Sequence, residues 1–124
     1  MNASTDSEQL AHLIADSALE RKALNVMVID VRGRSSYADF LVIASGTSDR
    51  HVQAIAEFVS THLKKEHRVK TRGAEGLREG QWALVDFGDV VLHVFHQFTR
   101  EIYSLEELWD DAPRIPIELK AAGS

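Results

Sequence analysis

The chain of 124 residues contains no cysteine, which excludes disulfide bonds, thiolate nucleophiles and cysteine-ligated metals. It also has no apolar run near the roughly 20 residues that a membrane-spanning helix needs, so we expect no membrane association. Proline is scarce, and both prolines, Pro113 and Pro116, lie near the C-terminus, where they should end regular structure. The remaining composition, 44% hydrophobic, suffices for one globular core.

Targeting signals are also missing from the N-terminal residues. Residues 1–8 are polar and acidic, whereas a secretory signal needs a basic start and an apolar core, and a transit peptide is rich in arginine and poor in acids. We therefore expect a protein that stays in the cytoplasm, where it is made.

The sequence also lacks an excess of positive charge, because its net charge is −5 at pH 7. Proteins that bind RNA phosphates usually carry a basic stripe, because charge neutralisation supplies much of the affinity. The only basic cluster comprises Lys64, Lys65, Arg68, Lys70 and Arg72. Because acidic residues such as Glu66 lie among these cations, the cluster is interpreted as the solvent-exposed end of a helix. We expect no extensive direct RNA binding, and an acidic chain suits a basic protein partner.

Hydrophobic periodicity divides the chain into helical and β-rich segments. The predicted helices cover about residues 6–23, after a capping box of Thr5 and Glu8, about residues 49–66, and a last stretch to about residue 111 that can restart at Ser104 with Glu107. The predicted strands are residues 26–31, 40–45, 68–72 (a cation-protected edge), 82–87 and 90–96. The glycines between residues 73 and 80 predict a mobile loop. The order αββαβββα predicts an α/β (α+β) domain with a mixed five-stranded sheet flanked by helices.

The hairpin around Gly88-Asp89 is the most informative segment. Its two-residue turn fixes the register and puts one apolar set on the core face, namely Ala83, Val85, Phe87, Val90, Leu92 and Val94. The other face pairs Trp82 with Phe95, Leu84 with His93, and Asp86 with Val91. Either the final helix covers this second face and Asp86 and His93 form a buried polar pair, or part of the face stays open as a contact surface.

The segment from Arg100 to Trp109 is equally ambiguous. Four of its side chains are spaced to pack inward on a helix, namely Ile102, Leu105, Leu108 and Trp109. Tyr103 and Glu106 fall beside this stripe, and Arg100 can reach Ser104 or the hairpin. The spacing favours a structural role for Ile102 and Leu108.

The sequence gives little support for an enzymatic function. The six histidines form no helical His-x-x-x-His pair, so no metal site is expected. The turn from Ser45 to Ser48 resembles the Gly-Ser turn of nucleotidyltransferases, but the paired carboxylates that would hold magnesium are missing, and a plain helix cap is favoured. No Gly-x-Ser-x-Gly elbow indicates a serine hydrolase. We expect no enzymatic activity and no cofactor.

A series of motifs, in order, resembles the ribosomal silencing factor family, also called Iojap-like. The matching residues are Val28–Val31, Ala38–Ser48, Arg50–Ile55, Glu75-Gly76, Gly80–Trp82, Asp86–Val91, His93–Phe95, Arg100, Tyr103, Leu105-Glu106 and Leu108-Trp109. The resemblance covers roughly residues 10 to 112. It implies one domain over residues 1–112, a short tail over 113–124, and a nucleotidyltransferase-like fold without the catalytic acids.

The resemblance also implies a function. Family members bind large-subunit ribosomal protein fourteen, block joining of the small subunit and lower translation when nutrients are short, while relatives in organelles act in large-subunit assembly. Members can form homodimers, so a homodimer off the ribosome is implied too. The partner is expected to contact Trp82, Asp86, His93, Phe95, Arg100, Tyr103, Leu105 and Glu106. Two alternatives stay open: a large-subunit assembly adaptor, and a nucleotide-binding, nucleotidyltransferase-like enzyme.

Overall fold

A computed structural model describes residues 3–117, with side chains from residue 7 onward. Along the chain its elements are α1 (Ala3–Glu20), β1 (Leu24–Asp30), β2 (Phe40–Gly46), α2 (Asp49–His67), β3 (Gly73–Glu75), β4 (Trp82–Asp86), β5 (Val90–His96), α3 (Gln97–Tyr103), a 3-10 helix (Leu105–Trp109) and β6 (Arg114–Ile115). None of the helices in this described part is both long and apolar enough to cross a bilayer.

The sheet is mixed, as predicted, and has the strand order β3-β4-β5-β2-β1-β6. Strands β2 and β5 run parallel and are connected through α2, β3 and β4. The other pairs are antiparallel. The sheet has one strand more than the predicted five, since Val28 of β1 pairs with Ile115 of β6. The predicted tail therefore contributes an edge strand at residues 114–115, and its residues 118–124 lie outside the described part.

Helices α1 and α2 cover one face of the sheet. The stripe predicted on α2 is buried in full, comprising Val52, Ile55, Ala56, Val59 and Leu63. It packs with α1 and the inward side chains of the central strands into the larger of two apolar clusters. Because this cluster occupies one side only, the opposite face of the sheet depends on residues 97–112 for its cover.

Helix ends follow the expected capping chemistry for α2 and depart from it for α1. The Ser48 hydroxyl accepts a hydrogen bond from the His51 N–H (3.0 Å), so the turn after β2 is a helix cap, as favoured from the sequence. Helix α1 begins at Ala3, which places Thr5 inside the helix and makes the predicted capping box wrong. It ends three residues earlier than predicted, because Lys22 turns left-handed (φ 60°) and the Ala23 N–H returns to the Ala18 carbonyl (3.1 Å).

The strand predicted at residues 68–72 is wrong, and the edge strand β3 begins at Gly73, inside the predicted loop. The reason is the length of its partner. Strand β4 ends at Asp86, which pairs with Gly73, and the Arg72 N–H donates to the Asp86 carbonyl (2.6 Å). Residues 68–71 lie beyond the end of β4 and have no neighbouring strand to pair with.

The last helical stretch divides at Ser104, as the sequence allowed, but without the predicted capping box. Ser104 is left-handed (φ 45°), and its hydroxyl donates to the Glu101 carbonyl (2.8 Å) instead of capping the 3-10 helix. This break rotates residues 105–109 relative to α3, so one helical stripe no longer runs through both segments.

Candidate binding groove

The β4–β5 hairpin has the predicted register. Val85 pairs with Leu92 and Ala83 with Val94, and the side chains of these four residues are fully buried toward α1 and α2. The second set of pairs is confirmed as well: Trp82 with Phe95, Leu84 with His93, and Asp86 with Val91. These side chains point to the face that residues 97–112 cover.

That cover is incomplete and leaves a groove of about 470 Å³, which we call the hairpin groove. Its walls come from the loop after β1, from β4 and β5, and from the 3-10 helix, and they include Tyr37, Leu84, Asp86, His93, Leu105, Leu108 and Trp109. Leu105 and Trp109 pack on the smaller apolar cluster and fix the 3-10 helix to the sheet. The open-face interpretation therefore describes part of this surface.

Trp82 is held by three aromatic neighbours at one end of this face. Its indole N–H donates to His93 Nδ1 (3.1 Å), and its ring lies 4.8 Å from Phe95 and 4.8 Å from Tyr103. Offset and tilted ring contacts of this kind add to the free energy of burial. The indole is thus fixed in one orientation before any partner arrives.

His93 is 8% exposed, and burial lowers the pKa of its imidazole from 6.5 to about 4. The ring is therefore neutral near pH 7. Because Nδ1 accepts the indole proton, the neutral ring carries its own proton on Nε2. The residue lines the hairpin groove as a neutral hydrogen-bonding group.

Asp86 and His93 do not form the buried polar pair that was one of the two interpretations. The Asp86 carboxylate accepts from the Gly88 N–H in the turn (2.7 Å), while His93 accepts from Trp82. Each side chain is thus held by a different part of the hairpin. Asp86 is half-buried and keeps a place in the groove wall.

Arg100 is buried, with 7% of its surface exposed, and holds the segments around it together. Its guanidinium donates to the Ser45 hydroxyl (2.8 Å), to the Asn25 carbonyl (2.7 Å) and to the Glu106 carboxylate (3.1 Å). These contacts connect β1, β2 and the 3-10 helix. The sequence suggested Ser104 or the hairpin as its partner, and the structure gives Ser45, Asn25 and Glu106 instead.

The structural role predicted for Ile102 and Leu108 is wrong, because 79% and 73% of their surfaces are exposed. Arg100 occupies the inward side of α3, so Ile102 faces solvent, and the break at Ser104 turns Leu108 outward. Phe98 and Tyr37, exposed by 66% and 90%, join them as large apolar surface residues that sequence reasoning missed. Helix α3 packs on the sheet through Arg100, its one buried residue, and no local pattern in the sequence indicates this orientation.

The eight predicted contact residues thus divide by position. Tyr103 is exposed, and four others are half-buried, namely Trp82, Asp86, Leu105 and Glu106. Of these four, Asp86 and Leu105 line the groove. His93 is buried but lines the groove. Phe95 is fully buried and Arg100 nearly so, and both support the surface from beneath. No cluster of three potential metal ligands occurs among the described residues.

Comparison with known proteins identifies the family to which this arrangement belongs. Residues 4–123 match the family described as "Ribosomal silencing factor during starvation". The chain belongs to the ribosomal silencing factor family. It is 38% identical over 112 residues to the ribosomal silencing factor RsfS of Halalkalibacterium halodurans, covering 90% of this chain and 95% of that protein.

Two further relatives extend the family comparison. A crystal structure from Chromobacterium violaceum has a TM-score of 0.81 and 32% identity, covering 94% of this chain and 96% of that one. A mouse protein named "Mitochondrial assembly of ribosomal large subunit protein 1" is 37% identical over 95 residues, which span 73% of this chain and 40% of that protein. The family is named for the silencing of ribosomes, and the Chromobacterium violaceum structure shares the fold of this chain.

Proposed function

We propose that this protein docks on the large ribosomal subunit through large-subunit ribosomal protein fourteen and sterically blocks joining of the small subunit, which represses translation under nutrient limitation. Membership of the ribosomal silencing factor family over residues 4–123 carries the proposal. The docking surface would be the hairpin groove together with the aromatic and apolar residues beside it.

The surface chemistry supports a protein partner. Hot spots of protein interfaces are enriched in tryptophan, tyrosine and arginine, and they form where aromatic side chains are already rigid. Trp82 and Tyr103 are packed against one another, and the exposed Leu108 extends the apolar area. The net charge of −5 suits a basic ribosomal protein, since complementary charge steers encounter.

Cosedimentation with purified large subunits tests the docking surface. Wild-type protein should sediment with the subunits, and Trp82→Ala should lose at least about tenfold in affinity, because truncating a hot-spot aromatic removes about 2 kcal/mol or more. Glu57→Ala, an exposed position on α2 at the other side of the sheet, is the control and should bind like wild type.

The outcomes separate the site from the function. Equal binding by wild type and a cooperatively folded Trp82→Ala variant, judged by thermal melting, would show that the partner contacts another surface. Failure of the wild type to sediment with the subunits would refute the function itself.

A second candidate is an adaptor for assembly of the large subunit. The name of the mouse relative, which refers to assembly of the ribosomal large subunit, favours it. The two functions differ in their substrate, since an assembly adaptor acts on immature particles and should leave the joining of mature purified subunits unchanged. A nucleotide-binding enzyme is the remaining alternative. Calorimetry with ATP, CTP or GTP and magnesium should give no binding heat, because the turn lacks the paired carboxylates that would hold the magnesium.

A further inference from the structure

One strongly charged surface of this acidic protein plays no part in the groove. The basic patch comprises Lys64, Lys65, Arg68, Lys70 and Arg72, which are five of the chain's 14 lysines and arginines. They lie within nine residues that contain a single acid, Glu66, and all five are exposed. Positive charge is thus concentrated at the end of α2 in a molecule that is otherwise strongly acidic.

Local structure explains only part of this patch. Lys64 and Lys65 lie in the last turn of α2, where cations interact favourably with the helix dipole by a few tenths of a kcal/mol up to about 1 kcal/mol. Lys70 lies beyond the helix, in the segment 68–71 that pairs with no strand of the described part, and Arg72 lies just before β3. Within the described part of the chain, no ion pair engages any of the five cations.

The fold brings two of these cations together at a shallow depression. Lys64 and Lys70 line the same depression of about 270 Å³, together with Ser60, Thr61 and Thr71. The two ammonium groups and the threonine hydroxyls offer hydrogen-bond donors and positive charge on one surface. These groups suit the oxygens of a phosphodiester, to which lysine binds as a point charge.

Arg72 extends the same surface toward the hairpin. A Cβ built on Gly88 would lie 3.0 Å from Arg72 Nε, so the guanidinium stands against the hairpin turn. The Arg72 backbone N–H also donates to the carbonyl of Asp86 (2.6 Å), whose side chain lines the hairpin groove. Arg72 therefore connects the basic patch to the end of the groove at Asp86. A protein bound in the groove would place neighbouring RNA within reach of the patch.

We propose that the basic patch binds the phosphate backbone of a structured RNA. The contact is local, involving a few phosphates, and is compatible with an acidic protein that lacks an extended basic stripe. If the proposed docking on the large subunit holds, the RNA is ribosomal RNA beside the protein partner; that identification rests on the proposed function, whereas the phosphate binding itself does not.

Fluorescence anisotropy with a short RNA duplex of about 16 base pairs, a length that spans two successive minor grooves, tests the binding. Wild-type protein should bind at about 50 mM salt and weaken steeply by about 200 mM. The triple variant Lys64→Gln/Lys70→Gln/Arg72→Gln should bind at least about tenfold more weakly and lower the salt slope by about three, roughly one unit for each cation removed. Arg68 is left in place because its left-handed backbone (φ 58°) ends α2.

A charge-matched control removes three exposed cations elsewhere, as Arg50→Gln/Arg78→Gln/Arg114→Gln. It changes the net charge equally and should bind RNA much as the wild type does. An equal loss of RNA affinity in both variants would show that only the net charge matters, and it would overturn the proposal. An absence of RNA binding by the wild type at about 50 mM salt would overturn it too. Thermal melting should show both variants folded, since the substituted side chains are exposed.

Different variants test the docking surface and the RNA-binding patch, so a failure of one proposal can be distinguished from a failure of the other. Trp82→Ala should retain the RNA binding of the wild type, because the indole lies at the opposite end of β4 from the patch. On large subunits, the patch variant should bind more weakly than wild type at low salt, and the difference should narrow as salt rises, because salt weakens the phosphate contacts that only the wild type makes. A patch variant that loses subunit affinity while binding the RNA duplex like wild type would assign the patch to an acidic protein surface and would contradict the RNA proposal.

Discussion

At the scale of single residues, two polar side chains that are shielded from water organise the candidate surface. His93 holds the indole of Trp82, and Arg100 joins the 3-10 helix to the sheet through Glu106 and Ser45. Both side chains are largely shielded from solvent, yet they hold the aromatic groups of the candidate surface in position. This arrangement predicts that substitutions at the two positions affect folding as well as binding.

The buried His93 predicts a pH dependence of stability. Its pKa is about 4 in the folded protein and about 6.5 when unfolded, so the unfolded chain binds the additional proton between these values. The His93 contribution is present in full above about pH 6.5 and falls as the pH drops toward 4, by up to about 3 kcal/mol.

Urea denaturation at several pH values measures this contribution. Relative to wild type, His93→Gln should lose less stability between pH 7 and 4.5, whereas the exposed His67→Gln should keep the wild-type slope. Parallel curves for wild type and His93→Gln would contradict the assignment.

Arg100→Met should destabilise the protein by about 3 kcal/mol, because it leaves the Glu106 carboxylate and the polar groups of β1 and β2 without their buried donor. Chemical denaturation measures the change. The double variant Arg100→Met/Glu106→Leu should recover part of the loss, since it removes the unpaired charge as well. A loss below about 1 kcal/mol for Arg100→Met would show that water replaces the guanidinium.

At the scale of elements, the features that could be predicted from the sequence are those whose geometry a few local residues determine. The Gly88-Asp89 turn sets the hairpin register, and Ser48 starts α2, so these parts followed from the residues themselves. The edge strand did not, because its start depends on where β4 ends, at Asp86. The orientation of α3 also could not be read, since burial of Arg100 depends on partners in β1 and β2.

The outward faces of α3 and the 3-10 helix predict a variant that separates binding from folding. Ile102→Ser/Leu108→Ser should change the free energy of unfolding by less than about 0.5 kcal/mol, because both side chains are exposed. Large-subunit affinity, measured by cosedimentation, should fall at least about tenfold. Glu57→Ala, on the other side of the sheet, is the control and should keep the wild-type affinity. Unfolding of the first variant, or its unchanged affinity, would contradict this account.

At the scale of the whole molecule, the two faces of the sheet have different roles. Helices α1 and α2 bury the larger apolar cluster and supply most of the core, which frees the other face to carry a smaller cluster and an open groove. The protein can thus present a rigid apolar surface without exposing its main core. Under the proposed function, a chain of 124 residues seated on a subunit surface would act by occupying space, for which no catalytic group is required.

The joining of purified large and small subunits is the most direct test of this account. Preincubation of mature large subunits with wild-type protein should reduce the fraction of joined particles on a sucrose gradient in proportion to bound protein, and Ile102→Ser/Leu108→Ser should restore joining at the same concentration. Unchanged joining by large subunits that are saturated with wild-type protein would contradict steric silencing and would favour the assembly adaptor.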